Sequence, residues 1–199
     1  MATPNYYVVP AGEVSDTGAD SAAEICNFLF ALLVSDASVM DAFEGLTESD
    51  AERDLLIQVS STFAEWDILA DGPTLQVRHP IKKKQPIRGL HVTHQPSFSQ
   101  RNGKLYVFEP IDFNAKKPKL LRERAGFMAY MFMDIRQNLH DDMEAYSIVR
   151  PFTVGNETTE AIEYAKTILQ GESNIVNWAD VGSRKVFLEK RRRIAESFS

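Results

Sequence analysis

Asn102-Gly103, set between two strand-like runs, constrains this chain more than any other local feature. Both residues tolerate positive φ, so Arg101-Asn102-Gly103-Lys104 reads as a tight hairpin turn. It joins the strand around Phe98 to a second strand at residues 105–113. Residues 75–79 and 89–94 also look like strands, and Pro80 and Pro86 bracket a basic loop with Lys82, Lys83 and Lys84. The middle of the chain is therefore expected to form a three-strand meander.

Helical patterns surround it. After a short strand at residues 6–9, residues 21–34 form an apolar helix, with Ser21 and Glu24 at capping-box spacing. That helix is apolar nearly all round, which suits a core position or a homodimer seam. Residues 50–69 place Leu55, Leu56, Val59, Phe63, Trp66 and Ile68 on one stripe before the break at Asp71-Gly72-Pro73. Residues 119–139 bury Leu121, Ala125, Met128, Phe132 and Ile135. A strand at 145–149, a helix at 156–170, a short strand at 175–178 and a basic helix at 182–197 complete the chain. This order predicts an α/β (α+β) domain, a mixed β-sheet flanked by helices, with an N-terminal helical extension.

The chain has 199 residues, of which 44% are hydrophobic, enough to bury a core without cross-links. Cys26 is its only cysteine, which excludes an internal disulfide and fits a reducing cytoplasm. The longest apolar-rich run, residues 22–34, is short of the roughly 20 residues a membrane span needs. Met1-Ala-Thr-Pro-Asn5 lacks the basic flank of a signal peptide. The expectation is a cytoplasmic protein with no membrane partner.

Charge divides the chain. Residues 1–71 hold 14 acidic side chains and one basic one, Arg53, for a net of −13, whereas residues 72–199 carry a net of +7. The expected organisation is an acidic N-terminal helical part, residues 1–71, and a basic α/β core, residues 72–199, together forming one compact domain. Such asymmetry hints at an anionic partner for the basic part, with the acidic part facing something else; the acidic third could equally pack on the basic remainder and neutralise it, or both could be solvated surfaces.

Sites for chemistry are sparse. His79, His91 and His94 lie close in sequence, but His91 and His94 would point to opposite faces of a strand and no Cys pair completes a zinc site. Cys26 sits beside Ile25 and Phe28, where a thiolate is disfavoured. His140, Asp141, Asp142 and Glu144 read as a polar helix end. No glycine-rich phosphate loop or nucleophile elbow occurs.

Residues 50–178 resemble the core of the PD-(D/E)XK nuclease-like superfamily. The resemblance rests on Phe98-Ser-Gln-Arg-Asn-Gly103 followed by Leu105-Tyr-Val-Phe-Glu-Pro-Ile-Asp-Phe113, on the helix with Phe127-Met-Ala-Tyr-Met-Phe-Met-Asp-Ile135, and on Ala145-Tyr-Ser-Ile-Val149. These are similar to stretches of uncharacterised bacterial and phage members, and they imply a restriction-endonuclease-like fold. An active member carries an Asp on the second strand and a Glu-x-Lys or Asp-x-Lys triplet on the third. Here the third strand offers Glu109-Pro110-Ile111 and Asp112-Phe113-Asn114, and Lys104 lies at the wrong end. The resemblance thus implies a catalytically degenerate, cofactor-free binding protein, contacting nucleic acid or a protein in phage or mobile-element conflict.

Two alternatives stay open. A migrated active site could use Glu109 and Asp112, with Lys104, to hold magnesium. An adaptor or inhibitor would instead use the acidic residues 1–71. For nucleic acid, the cations expected to meet phosphate are Arg78, Lys82, Lys83, Lys84 and Arg88, with Lys116 and Lys117 before the next helix. The last helix adds Arg184, Lys185, Lys190, Arg191, Arg192 and Arg193, and Tyr106 and Trp178 are candidates for stacking or core.

Overall fold

Helix α1, Asp50–Glu65, lays Leu55, Val59 and Phe63 on one fully buried stripe. The computed structural model describes residues 50–70, 77–114, 118–139, 142–151 and 159–197. The expected strand at 6–9, the apolar helix at 21–34 and Cys26 lie outside these residues, as do Lys116, Lys117, His140 and Asp141.

Helix α1 stops four residues before the expected end at 69. Asp67 adopts φ 55°, a left-handed conformation that short polar side chains tolerate. The turn drops Ile68 and Leu69 into the core, and Leu69 bridges Ile81 in parallel. The Ile81 amide donates to the Ile68 carbonyl at 2.7 Å.

The segment read as a basic loop contains the first strand, β1, Lys82–Lys83. Residues 77–79, expected to end a strand, are not strand. The strand expected at 89–94 is instead a small hairpin, β2 Ile87–Arg88 paired antiparallel with β3 Thr93–His94. Strand β4, Phe98–Asn102, then returns antiparallel to β1 and to β5, Lys104–Asp112. The hairpin turn falls where expected but is centred on Gly103 alone, at φ 67°, with Arg101 opposite Leu105. Asn102 keeps an ordinary φ and reaches the last helix instead. Pro110 lies past Phe108, the last β5 residue paired with β4, where one side of the strand has no ladder to interrupt.

Helix α2, Pro118–Asn138, opens on proline, whose fixed φ suits a first helical position. It leads to β6, Met143–Arg150, parallel to β5. Helix α3, Thr159–Glu172, and β7, Asn174–Asn177, repeat the crossover. Helix α4, Val181–Glu196, closes the chain, its first turn capped by the Asp180 carboxylate on the Gly182 and Ser183 amides. The five-stranded mixed sheet runs β1-β4-β5-β6-β7, with β2–β3 as a separate two-stranded sheet.

Burial sorts by strand parity. Leu105, Val107 and Ile111 face α2 and α3 in one cluster with Met128, Phe132 and Ala165. Phe108, Tyr146, Ile148 and Val176 face α1 and α4 in the other, with Phe63 and Phe187. Phe63 packs edge-on against Phe98 at 5.1 Å between ring centres. The four helices thus cover both faces of the sheet, as the α+β reading requires.

Candidate functional site

Glu109 and Asp112 fall on opposite sides of β5 because they are three residues apart. Glu109 shares the face of Val107 and Ile111. Its carboxylate accepts the Ser97 amide at 2.5 Å, the Ser97 hydroxyl at 2.8 Å and the Arg124 guanidinium at 3.3 Å. It thereby caps the start of β4 and ties it to α2. Asp112 shares the face of Phe108. It is fully buried and accepts the Asn114 amide and side chain at 2.8 Å, and Arg150 at 2.9 Å. Lys104 stands at the far end of the strand, paired with Glu144 at 3.2 Å. The three residues considered for a migrated metal site are therefore not brought together. Among the described residues no group of three His, Cys, Asp or Glu side chains is placed to hold a metal.

The candidate cations differ in exposure and in what holds them. Lys82, Lys83, Lys84 and Arg88 are all exposed along one continuous segment with Gln85 and Pro86. Lys84 sits at φ 45°, which turns the chain out of β1 toward β2. Arg78 is exposed beside the end of α4, where its amide donates to the Ala195 carbonyl.

The last helix is more committed than its charge suggests. Arg184 lies over the Trp178 ring and donates to its carbonyl. Lys185 and Arg192 pair with Glu189 and Glu196 within the helix. Lys190 reaches Glu144 and the Tyr146 hydroxyl. Arg191, counted among the cations expected to meet phosphate, is fully buried. Its guanidinium lies 4.4 Å from the Tyr106 ring centre and 4.9 Å from that of Tyr146, with Phe108 and Phe187 completing the enclosure. Burial pushes its pKa down, while Tyr146, Tyr106 and Glu144 oppose the shift. The signal was available: aromatic residues alternate on β5 and β6, at Tyr106, Phe108 and Tyr146, but nothing local ties them to position 191. Trp178 is core, so it offers no stacking surface, and Tyr106 is occupied by Arg191.

A feature that sequence reasoning missed lies between the small hairpin and α2. Asp134, fully buried, accepts the His91 amide at 2.9 Å, the Val92 amide at 3.4 Å and His94 Nε2 at 2.7 Å. Its own carbonyl accepts the Leu90 amide. Gly89 is required here, since a Cβ would stand 1.9 Å from Asp134 Oδ2. Because a carboxylate only accepts, His94 carries its proton on Nε2, and its buried Nδ1 has no hydrogen-bond partner. Burial lowers the His94 pKa, against the hydrogen bond and charge of Asp134, and raises that of the neighbouring Tyr130.

Comparison with protein-family profiles, curated proteins and solved structures finds no match. Within the described residues no helix is long and apolar enough to cross a membrane.

Proposed function

We propose that this protein is a nucleic-acid-binding module on a restriction-endonuclease-like scaffold, with Lys82, Lys83, Lys84 and Arg88 as its phosphate contacts. The observation that carries this reading is the contrast between the two sets of charges. The third-strand carboxylates lie buried on opposite faces of the sheet, whereas Lys82, Lys83, Lys84 and Arg88 stand exposed on one short segment at the sheet edge. An order of helix, an antiparallel β1-β4-β5 unit interrupted by the β2–β3 hairpin, helix, strand and helix supports the scaffold.

Lysines on an edge strand also discourage pairing with another sheet. That role accounts for Lys82 and Lys83, whose ladder is two residues long, but Lys84 and Arg88 lie beyond it. Cations at such spacing neutralise successive phosphates and release counterions, so affinity falls steeply with salt. Fluorescence polarisation with labelled duplex and single-stranded DNA and RNA tests this. The expected result is salt-sensitive binding that Lys82→Glu, Lys83→Glu and Lys84→Glu together abolish. Binding unaffected by the triple change would remove the segment from the account.

A further inference from the structure

We infer that Asp134 is a positioning residue for the basic segment, and that a second ring proton on His94 releases its hold. The inference rests on the nucleic-acid reading above and adds a mode of regulation to the same surface.

The segment from Lys84 to Arg88 is suspended between two anchors. At one end the Lys84 amide donates to the Ser97 carbonyl at 3.2 Å, extending the β1–β4 pairing. At the other, Arg88 belongs to the β2–β3 hairpin, which is held on α2 chiefly by the Asp134 carboxylate. Asp134 takes two consecutive amides of the hairpin turn and the His94 ring, while Asn138, one helical turn on, donates to the Arg88 carbonyl at 2.9 Å. Few apolar contacts substitute for these bonds, since Arg88, Leu90, His91 and Thr93 are all exposed. Ile87 alone leans on the main cluster. A two-stranded hairpin of two residues each has little stability of its own. Its shape, and with it the direction of Arg88, therefore depends on Asp134.

The ring of His94 makes that hold sensitive to protons. Among the described residues, the titratable groups facing it are Asp134 and Tyr130, both on α2, with the Tyr130 ring centre 5.8 Å away. His91, the other histidine of the hairpin, is exposed. Neutral His94 donates through Nε2 and leaves Nδ1 bare. A second proton must go on Nδ1, which is buried and has no acceptor. A buried donor without a partner is costly, so protonation favours the opened hairpin. This reverses the ordinary trend of a basic surface, on which an exposed histidine gains charge and binds polyanions better in acid.

The experiment measures polarisation of a fluorescein-labelled DNA duplex on the full chain at constant ionic strength, from about pH 8 to about pH 5. Wild-type affinity is expected to fall several-fold toward acid, and in His94→Gln this fall is expected to vanish. Gly89→Ala, which forces the turn away from Asp134 while keeping every charge, is expected to weaken binding about tenfold at neutral pH. Asp134→Asn should do the same and speed exchange of the His91 amide. Wild-type affinity that rises monotonically toward acid would overturn the inference. So would wild-type affinity in Gly89→Ala while the Lys82–Lys84 triple change still abolishes binding. If the triple change itself leaves binding intact, the nucleic-acid reading is what fails. Amide exchange at His91 that is unchanged in Asp134→Asn would then refute the positioning role as well.

Discussion

Glu109 and Asp112 stand on one strand with their carboxylates on opposite faces of the sheet, each against its own arginine. A two-carboxylate magnesium site needs both at one ion, so their role is to organise the fold. Glu109→Gln and Asp112→Asn should each lower stability by about 2 kcal/mol, the order expected for losing a charged hydrogen bond. Arg124 and Arg150 already each hold one buried nitrogen without a partner and cannot easily re-pair. Chemical denaturation measures the loss. Nucleic-acid affinity should be unchanged in Asp112→Asn, and a magnesium-dependent cleavage activity that either variant abolished would contradict the assignment.

Arg191 gives a second prediction. Its Nε and one terminal nitrogen are buried without partners and the other donates only a long 3.4 Å bond to the Tyr146 hydroxyl, so its hold on the core comes mainly from the four aromatic rings around it. A lysine would bury a compact, strongly hydrated charge in the same enclosure, whereas methionine fills it without that penalty. Arg191→Lys should therefore destabilise by about 3 kcal/mol. Arg191→Met should cost less than Arg191→Lys. The reverse order of melting temperatures would mean that the charge itself holds the site together.

These two cases show what the sequence carries and what it does not. Helix α2 was legible because Leu121, Ala125, Met128, Phe132 and Ile135 repeat at helical spacing and Pro118 marks the start. The β4–β5 hairpin was legible from Gly103. Charge alone marks the exposed lysines at 82–84, but Lys-Lys has no apolar alternation to mark their strand. Arg191 and Asp134 escaped for one reason. Each is a charged residue on a helix whose side-chain hydrogen-bond partners come from elements 40 to 45 positions away, His94 and Tyr146. Residue type alone assigns such side chains to solvent.

Gly103 offers a clean test of the turn. A Cβ there would meet nothing within 4 Å, so Gly103→Ala changes only the backbone preference at φ 67°. A left-handed alanine costs about 1 to 2 kcal/mol, and denaturation should show that loss with no change in the helical circular dichroism signal. No loss would mean that the turn relaxes to another register.

Stability should depend on pH through His94. Its pKa is depressed in the folded protein by burial, against Asp134, so the unfolded chain takes up the proton first. The contribution of neutral His94 is complete above about pH 6.5 and is lost as pH falls through the lower folded value. The melting temperature should fall across that window, and His94→Gln should flatten it. Glu144, whose pKa is lowered by Tyr146, Lys104 and Lys190 despite its burial, acts in a separate window below its usual 4.5. An identical pH profile in His94→Gln would remove His94 as the source.

On the proposed reading, the exposed segment from Lys82 to Arg88 binds nucleic acid. The most direct measurement is the salt dependence of duplex affinity for the wild-type chain and for the combined Lys82→Glu, Lys83→Glu and Lys84→Glu variant. Linear weakening with the logarithm of salt is expected in the wild type, with no measurable binding in the variant. Equal affinity and equal slope in the two proteins would contradict it.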